Sequence, residues 1–270
     1  MADPASTGEL ATGELASGGF LGGAAALALV THATEAALLA DLDATLAAGH
    51  GFAVATLNLD HLVKLRRDAR FAAAYRAQTH VVADGNPVVW LRALMGRPVS
   101  LVPGSELIAP LCALAAARGV PLALYGSDQP TLDLAATRLE ARHPGLRVVA
   151  RIAPAFGFDP MGPVAEADLA RLAAGGARIV LLALGAPKQE ILAARGHALQ
   201  PRLGFVSIGA GLDFIAARQV RAPMWMRRLA LEWLWRLVGN PRRLARRYLD
   251  CAMILPGLVW AAVKAPRPRA

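Results

Sequence analysis

The sequence predicts an α/β protein in which a mainly parallel sheet is covered by helices on both faces. Predicted strands and helices alternate between residues 25 and 211, as in repeated strand–helix–strand units. Several strands, such as residues 177–183, are apolar at nearly every position, which is typical of strands buried on both sides. Glycine or a polar residue follows most of these strands. Together the three observations favour a Rossmann-like sheet.

Hydrophobic periodicity predicts the individual elements. The predicted strands cover residues 25–30, 52–57, 79–83, 122–125, 146–150, 177–183 and 203–208. The predicted helices cover residues 34–48, 60–77, 88–95, 104–117, 130–142 and 164–173, and another opens after residue 186. Over residues 34–48, Leu38, Leu42 and Leu46 recur at helical spacing behind Thr34, a suitable N-cap.

Basic charge is concentrated in the last fifth of the chain. Residues 218–270 hold twelve Lys or Arg and two acids, a net charge of +10, whereas the whole chain carries +9 and the remainder −1. Such a block is typical of a surface that contacts nucleic acid, anionic lipid or a phosphate-bearing ligand. We expect a disordered leader over residues 1–18, an α/β domain over 19–217 and a basic amphipathic helical appendage over 218–270.

Composition and motifs argue against several classes of protein. No apolar run reaches the roughly 20 residues that cross a bilayer, and no Lys or Arg precedes Lys64, so a secretory signal is not expected. Cys112 and Cys251 predict neither a disulfide nor a Cys-based metal site, which favours a reducing cytosol. The six histidines are scattered, so no metal site is predicted. Neither GxGxxG nor GxxxxGKS/T occurs, which argues against a standard dinucleotide site or P-loop.

Small and polar residues gather at the carboxyl ends of five predicted strands. In a parallel sheet these ends meet at one edge, where open α/β sheets bind their ligands. We call this edge the rim; its ends read Thr56-Leu57-Asn58, Asp84-Gly85-Asn86, Tyr125-Gly126-Ser127, Leu184-Gly185-Ala186 and Ile208-Gly209-Ala210. One such end is ordinary turn chemistry, whereas five predict a ligand site.

The segment from Leu184 to Glu190 is a strand-to-helix switch. Gly185 permits a tight turn or a close approach of ligand, and Pro187 suits the first helical turn. The free amides of a helix start favour an anionic group such as a phosphate. Lys188, Gln189 and Glu190 add a cation, an amide and a carboxylate at the same point. The alternative is a capped helix whose polar residues are simply solvated.

Asp84 is the strongest candidate for a catalytic carboxylate. It follows an apolar strand and precedes Gly85, so it should lie on the rim, where an Asp can act as a general base. The alternative is an Asp that caps the helix starting near Pro87. Thr56 and Asn58 have the same two interpretations, as helix caps or as ligand hydrogen-bonding groups.

The ordered motifs resemble the WecG/TagA/CpsF glycosyltransferases (glycosyltransferase family 26), bacterial enzymes of cell-surface polysaccharide synthesis. The matching stretches are Thr56-Leu57-Asn58-Leu59-Asp60, Ala83-Asp84-Gly85-Asn86-Pro87-Val88-Val89, Gly104-Ser105-Glu106-Leu107, Leu184-Gly185-Ala186-Pro187-Lys188-Gln189-Glu190, Gly209-Ala210-Gly211-Leu212-Asp213, Arg221-Ala222-Pro223, and Leu231-Glu232-Trp233-Leu234-Trp235-Arg236-Leu237 with Pro241-Arg242-Arg243 and Arg246-Arg247-Tyr248. Each is weak alone, but the ordered set is specific. The chain departs from the family at Ser105-Glu106 and at Trp235, neither of which touches the expected chemistry.

The resemblance implies transfer of a sugar from a UDP-sugar to a polyprenyl-diphosphate-linked sugar, with inversion and without a required metal or other cofactor. It implies that Asp84 is the base, that Thr56 and Asn58 line the donor site and that Gln189 reaches the same pocket. Further expected substrate contacts are Gly85, Asn86, Gly126, Gly185, Pro187, Lys188 and Glu190. Glucose, N-acetylmannosamine, its uronic acid and galactose-type donors stay open, and residues 56–63 favour glucose because they look most like members of exopolysaccharide clusters.

The C-terminal block suits an anionic membrane surface. Trp225, Leu229, Trp233 and Leu237 recur at helical spacing, and arginines flank them. In the family this appendage closes over the active site and helps to reach the lipid-borne acceptor, which implies a cytoplasmic protein, peripheral on the inner face of the plasma membrane. The expected diphosphate contacts are Arg221, Arg243, Arg246 and Arg247. The alternative is a basic, solvated helix packed on the sheet.

Two rival classes of function fit parts of the sequence. A nucleic-acid-binding module would use the basic tail, but stacking aromatic residues and a recognised nucleic-acid-binding fold are missing, so no nucleic-acid partner is expected. A non-catalytic, membrane-associated scaffold of a polysaccharide assembly complex is the other alternative. A homo-oligomer is compatible with these features and not required by them.

Overall fold

The computed structural model describes residues 19–218, 222–223, 225–226 and 229–267, except for the side chains of Arg236 and Arg243. Its strands are β1 (Ala53–Leu57), β2 (His80–Ala83), β3 (Leu122–Gly126), β4 (Val148–Ile152), β5 (Ile179–Ala183) and β6 (Gly204–Ser207). They form one parallel sheet in the order β2-β1-β6-β5-β3-β4. The predicted parallel α/β fold is confirmed. The predicted leader over 1–18 lies outside the described residues.

Helices connect the strands and pack on both faces of the sheet. Up to β4 they are α1 (Gly23–Ala28), α2 (Glu35–Ala47), α3 (Leu59–Leu65), α4 (Ala69–Arg76), α5 (Asn86–Leu94), α6 (Ile108–Arg118) and α7 (Gln129–Arg142). Beyond β4 they are α8 (Pro163–Ala174), α9 (Lys188–Leu199), α10 (Gly211–Ile215), α11 (Glu232–Gly239) and α12 (Pro241–Lys264).

Successive residues of the central strands supply two separate cores. In β5, Ile179 and Leu181 join leucines of α2, α6 and α7, whereas Val180 and Leu182 join residues of α8 and α9. This alternation follows from the two-residue period of a strand and explains why both kinds of position are apolar. The apolar strand runs in the sequence therefore correctly predicted a sheet covered on both faces.

The predicted first strand, residues 25–30, is wrong. Residues 23–28 form α1, and alanine, which dominates this segment, is the strongest helix former. Ala26, Leu27 and Val30 pack into the same cluster as residues of α12, a partner that periodicity alone does not reveal. After α1, the Thr31 amide donates to the Val81 carbonyl at 2.9 Å. The chain thus borders the edge strand β2 without adding a strand.

Two predicted helices have different limits in the structure. The helix predicted over residues 60–77 divides into α3 and α4, because Asp68 accepts the Phe71 amide at 3.0 Å and caps a new helix. The helix predicted from residue 104 begins at Ile108. Gly104 instead packs against the end of β6: a Cβ there would lie 2.9 Å from the Ser207 carbonyl oxygen. This close approach brings a family-matching stretch to the rim.

The long helix α12 has two faces of different character. Cys251, Ile254, Leu258, Ala262 and the following Ala265 are buried with residues of α1, α3, α4 and α5. On the opposite side, Leu249, Met253, Trp260 and Val263 are exposed and recur at i, i+4, i+11 and i+14, which places them on one stripe. Along the described part of the chain, none of the helices combines the length and hydropathy needed to span a bilayer.

We predict that the buried side of α12 contributes to global stability. Leu258→Ala should lower the free energy of unfolding by about 2–5 kcal/mol, because Leu258 is 2% exposed and its truncation leaves a cavity. The matched control is Met253→Ala on the opposite side of α12, where Met253 is 74% exposed. It should change the free energy of unfolding by about 0.5 kcal/mol or less. Urea denaturation measures both, and equal effects would contradict this packing.

Candidate active site

Asp84 lies at the carboxyl end of β2, beside the end of β1. Its backbone amide donates to the Leu57 carbonyl at 2.8 Å, continuing the parallel pairing beyond Leu57 and Ala83. The hydroxyl of Thr56 donates to the Asp84 carboxylate over 3.5 Å. The N-cap of α5 is Gly85, with φ of +112°, so Asp84 does not occupy the capping position. Its half-buried carboxylate instead belongs to the rim.

Asn58 brings the stretch from Thr56 to Asp60 next to the turn at Asp84-Gly85. Its side-chain oxygen accepts the His61 amide at 3.0 Å, so it caps α3 as one interpretation predicted. A Cβ added to Gly85 would lie 3.9 Å from the Asn58 Cβ, so the two ends are in contact. Thr56, Asn58, Asp84, Gly85 and Asn86, which opens α5, therefore form one continuous patch.

A buried polar pair supports Thr56 from below. The Tyr75 hydroxyl donates to the Thr56 carbonyl at 3.2 Å and lies 2.6 Å from His61 Nδ1. Because the single hydroxyl proton goes to the carbonyl, His61 donates its Nδ1 proton to Tyr75. Burial lowers the pKa of His61 to about 3, so the ring is neutral. These bonds restrain the backbone that presents the Thr56 hydroxyl to Asp84.

The first turn of α9 connects the ends of β5 and β6. Pro187 is the N-cap of this helix, one residue before the first-turn position that the sequence suggested. Gln189 is buried; its side-chain oxygen accepts the Gly209 amide at 3.2 Å, and its nitrogen donates to Glu190 at 2.8 Å. Lys188 is half-buried, and Gly185 has φ of +73°. The polar residues after Pro187 are thus largely packed inside and not simply solvated.

Glu190 is fully buried directly beneath the rim. Its Oε1 atom accepts from Gln189, whereas Oε2 has no hydrogen-bond partner among the described residues. Burial raises the pKa of Glu190 from 4.5 to about 7, because the charged form is poorly solvated there. This carboxyl therefore titrates close to neutral pH.

An ion-pair chain ties α12 to the rim. Asp60 accepts from Lys64 at 2.7 Å and from Arg247 at 3.1 Å, and Lys64 also donates to the Ala186 carbonyl at 3.1 Å. Arg247 thereby contacts the stretch from Thr56 to Asp60 directly and is connected through Lys64 to the turn before α9. Arg246 is exposed, Arg243 lies in α12, and Arg221 lies outside the described residues.

Gly126 is the last residue of β3, the strand that pairs with β5 on the side away from β6. Its φ is +108°, and a Cβ there would lie 2.4 Å from the Ala183 carbonyl oxygen, so glycine is required. The following residue, Ser127, donates to Asp213 at 3.1 Å. This contact joins two more of the stretches that the sequence singled out.

Some residues of the site were not found from the sequence. Asp60 and Lys64 have the i, i+4 spacing of a helical ion pair directly after Asn58, a signal that could have identified them. His61 and Tyr75 lie in ordinary apolar helical patterns, and only the fold brings them beneath Thr56. Local sequence motifs do not reveal side chains such as these, which meet only in the tertiary structure.

The fold and rim define a parallel α/β protein with a cluster of polar side chains at the carboxyl edge of its sheet. The sequence model of the Glycosyl transferase WecG/TagA/CpsF family matches residues 26–269. The chain therefore belongs to this family of glycosyltransferases, which act on a sugar donor and an acceptor. The resemblance found from the ordered motifs is confirmed.

We predict that ionisation of Glu190 destabilises the fold as the pH rises. A folded-state pKa of about 7 against 4.5 means that the native state retains a proton that the unfolded chain loses. The resulting stability is present below pH 4.5 and is lost as the pH rises through about 7. Between pH 5 and 8, wild type should lose roughly 2–3 kcal/mol relative to Glu190→Gln.

The measurement is the free energy of unfolding in urea at several pH values. The control Glu35→Gln, at the partly exposed amino end of α2, should keep a constant offset from wild type over the same range. A constant offset for Glu190→Gln as well would contradict the raised pKa.

Proposed function

We propose that the protein is an inverting hexosyltransferase that moves a sugar from a UDP-sugar to a polyprenyl-diphosphate-linked sugar in bacterial cell-surface or exopolysaccharide synthesis. The observation that carries this proposal is the position of Asp84, a carboxylate on the rim that Thr56 orients and Asn58 adjoins. A general base must lie within reach of the proton that it removes, and a rim carboxylate can meet an acceptor hydroxyl there.

The proposed reaction is a single displacement. Asp84 accepts the proton of the acceptor hydroxyl while that oxygen bonds to the anomeric carbon. The bond between the anomeric carbon and UDP breaks at the same time, and UDP leaves with its electron pair. The Thr56 hydroxyl, on a backbone that the bonds of Tyr75 and His61 restrain, helps to orient the Asp84 carboxylate.

Protein groups offset the charge that grows on the departing diphosphate, so the reaction needs no metal ion. The half-buried Lys188 lies in the first turn of α9, two residues after the Ala186 carbonyl that Lys64 contacts. Arg247 pairs with Asp60, which also binds Lys64, so Arg247 is connected to the same turn; the exposed Arg246 is one residue away. We extend the same role to Arg221 and Arg243. Thr56, Asn58, Gly85, Asn86 and Gly126 with Gly185 line the donor site, for which a glucose or N-acetylmannosamine-type sugar is proposed.

We further propose that the exposed apolar side of the C-terminal helices contacts an anionic membrane, on the cytoplasmic face of the plasma membrane. The large apolar residues exposed in this part of the chain include Trp225, Leu229, Trp233, Leu234, Trp235, Val238, Leu249, Met253, Val259, Trp260 and Val263. Arginines follow directly at the start of α12, and Lys264 lies 4.1 Å from the centre of the Trp260 ring. Apolar and aromatic side chains flanked by basic ones favour the interface of an anionic bilayer.

The experiment that tests the activity is UDP release by the purified full chain in the presence of EDTA. A panel of UDP-sugars is combined with a short-chain lipid-diphosphate-linked sugar as acceptor. Release that requires the acceptor and one donor supports the transferase, its donor and its independence of metal. Absence of release from folded, vesicle-binding protein would favour the alternative of a non-catalytic scaffold.

We predict that Asp84→Asn lowers kcat roughly 10²- to 10⁴-fold, because the amide cannot accept the acceptor proton. Circular dichroism should show an unchanged fold, and donor binding should persist because the amide is nearly the same size. The matched control is Asp133→Asn, an exposed carboxylate on α7, which should retain the wild-type rate. A normal rate for Asp84→Asn would remove Asp84 as the base.

We predict that the double variant Met253→Ser/Trp260→Ser binds vesicles containing phosphatidylglycerol at least about tenfold more weakly than wild type, since two large apolar side chains no longer enter the interface. Flotation with vesicles measures the bound fraction. The control Phe156→Ser/Val164→Ser removes two exposed apolar residues elsewhere on the protein and should bind like wild type. Equal loss in both variants would mean that binding is not located on α12.

A further inference from the structure

A second cluster of polar side chains lies at the opposite edge of the sheet from the rim. It consists of His32, between α1 and α2, Asp41 on α2, and His80, the first residue of β2. Asp84 follows the other end of β2, about 13 Å away at the usual rise of a strand. The cluster is therefore separate from the proposed glycosyl-transfer site.

The three side chains point their ligand atoms at one place. Asp41 Oδ2 lies 3.1 Å from His32 Nε2 and 3.0 Å from His80 Nε2, and the candidate ligand atoms of the three residues all lie within 4.8 Å of one another. The two imidazole rings stack with centroids 4.9 Å apart. His80 is buried whereas the Asp41 side chain is 52% exposed, so the cluster opens to solvent on one side.

The hydrogen bonds of Thr79 decide which nitrogen of His80 carries the proton. Thr79 Oγ1 accepts the Ala53 amide at 2.8 Å and donates to the Ala53 carbonyl at 3.0 Å. The same oxygen lies 2.7 Å from His80 Nδ1. A hydroxyl has one proton, and when that proton is on the carbonyl, His80 must donate from Nδ1. The lone pair of the neutral ring is then on Nε2, facing Asp41.

Thr31 repeats this arrangement at His32. Its Oγ1 accepts the Val81 amide at 2.8 Å, donates to the Val81 carbonyl at 3.2 Å and lies 2.9 Å from His32 Nδ1. His32 is thereby also set to donate from Nδ1 and to present the lone pair of Nε2. Two imidazole lone pairs and a carboxylate oxygen then face one another, an arrangement that a cation between them would stabilise.

We propose that His32, Asp41 and His80 bind a divalent transition metal of the zinc class, with Nε2, carboxylate oxygen and Nε2 as the ligands. Zinc takes such nitrogen and oxygen ligands at about 2.0–2.1 Å, which separates tetrahedral ligand atoms by about 3.3 Å. The observed oxygen–nitrogen distances of 3.0 and 3.1 Å are close to this value, and the two Nε2 atoms lie within 4.8 Å of each other. The Nδ1–H to hydroxyl bonds are the outer contacts that normally orient a metal-binding histidine.

Such a metal would connect three separate segments beside β2, the outer strand of the sheet. It connects α2 and the chain before it to β2, which has a strand neighbour only in β1 among the described strands. The ligands lie 9 and 39 residues apart along the sequence, measured from Asp41, which is why no motif revealed them. The fourth coordination position faces solvent on the side where Asp41 is exposed.

The test is a titration of the tag-free, EDTA-treated full chain with Zn²⁺ alone by isothermal calorimetry, repeated with Co²⁺ to record its visible absorption. We expect one saturable equivalent and a rise in Tm on adding the metal. Asp41→Asn and His32→Gln should each weaken binding roughly tenfold or more and reduce the rise in Tm at the same metal concentration. The control variants His50→Gln and His143→Gln should bind like wild type.

Two results would overturn the proposal: no saturable binding of one equivalent, or equal binding by wild type, Asp41→Asn and His32→Gln. Circular dichroism confirms that each variant is folded, and both variants alter only partly or fully exposed side chains. The assay of sugar transfer in EDTA tests the proposed role of the rim without metal. A negative result in that assay therefore says nothing about metal binding by His32, Asp41 and His80, and the reverse also holds. Without metal, the cluster would be a set of ordinary hydrogen bonds with the protons on Nε2.

Discussion

The parallel pairing of β1 with β2 is the constraint on which the candidate active site depends. Leu57 pairs with Ala83, and the Asp84 amide extends this ladder by donating to Leu57. Because parallel strands end at the same edge, this register fixes Asp84 beside Asn58 and within reach of the Thr56 hydroxyl. A shift of one residue would turn every side chain of β2 to the other face of the sheet. The position of the proposed base is therefore set by backbone hydrogen bonds.

Beneath the rim the protein buries polar groups that a purely structural core would avoid. His61 and Glu190 are fully buried and titrate far from their usual ranges, with pKa values of about 3 and about 7. Unpaired buried polar atoms are costly, and Glu190 Oε2 has no hydrogen-bond partner among the described residues. Perturbed groups of this kind concentrate at functional sites. Their location directly below Thr56 and Gln189 is consistent with support of the rim.

The C-terminal helix α12 links the proposed chemistry to the proposed membrane surface. Its buried side packs on α1, α3, α4 and α5, its first turns bring Arg247 to Asp60, and its opposite side is an exposed apolar stripe. One rigid element thus contacts the core, the rim and the surroundings. The proposed lipid-borne acceptor would then meet the rim at a fixed height above the bilayer.

The sequence by itself determined the parallel α/β fold, the rim and the family, because apolar runs and strand-end glycines are local patterns. It also placed Asp84, Thr56 and Asn58 on the rim, since the ends of parallel strands must meet. Only the tertiary structure revealed what the helix at residues 23–28 packs against, because its partner α12 lies more than 200 residues away in the chain. The same holds for the pairing of Arg247 with Asp60 and the meeting of His32 with His80. Each depends on contacts between distant segments, which no local periodicity encodes.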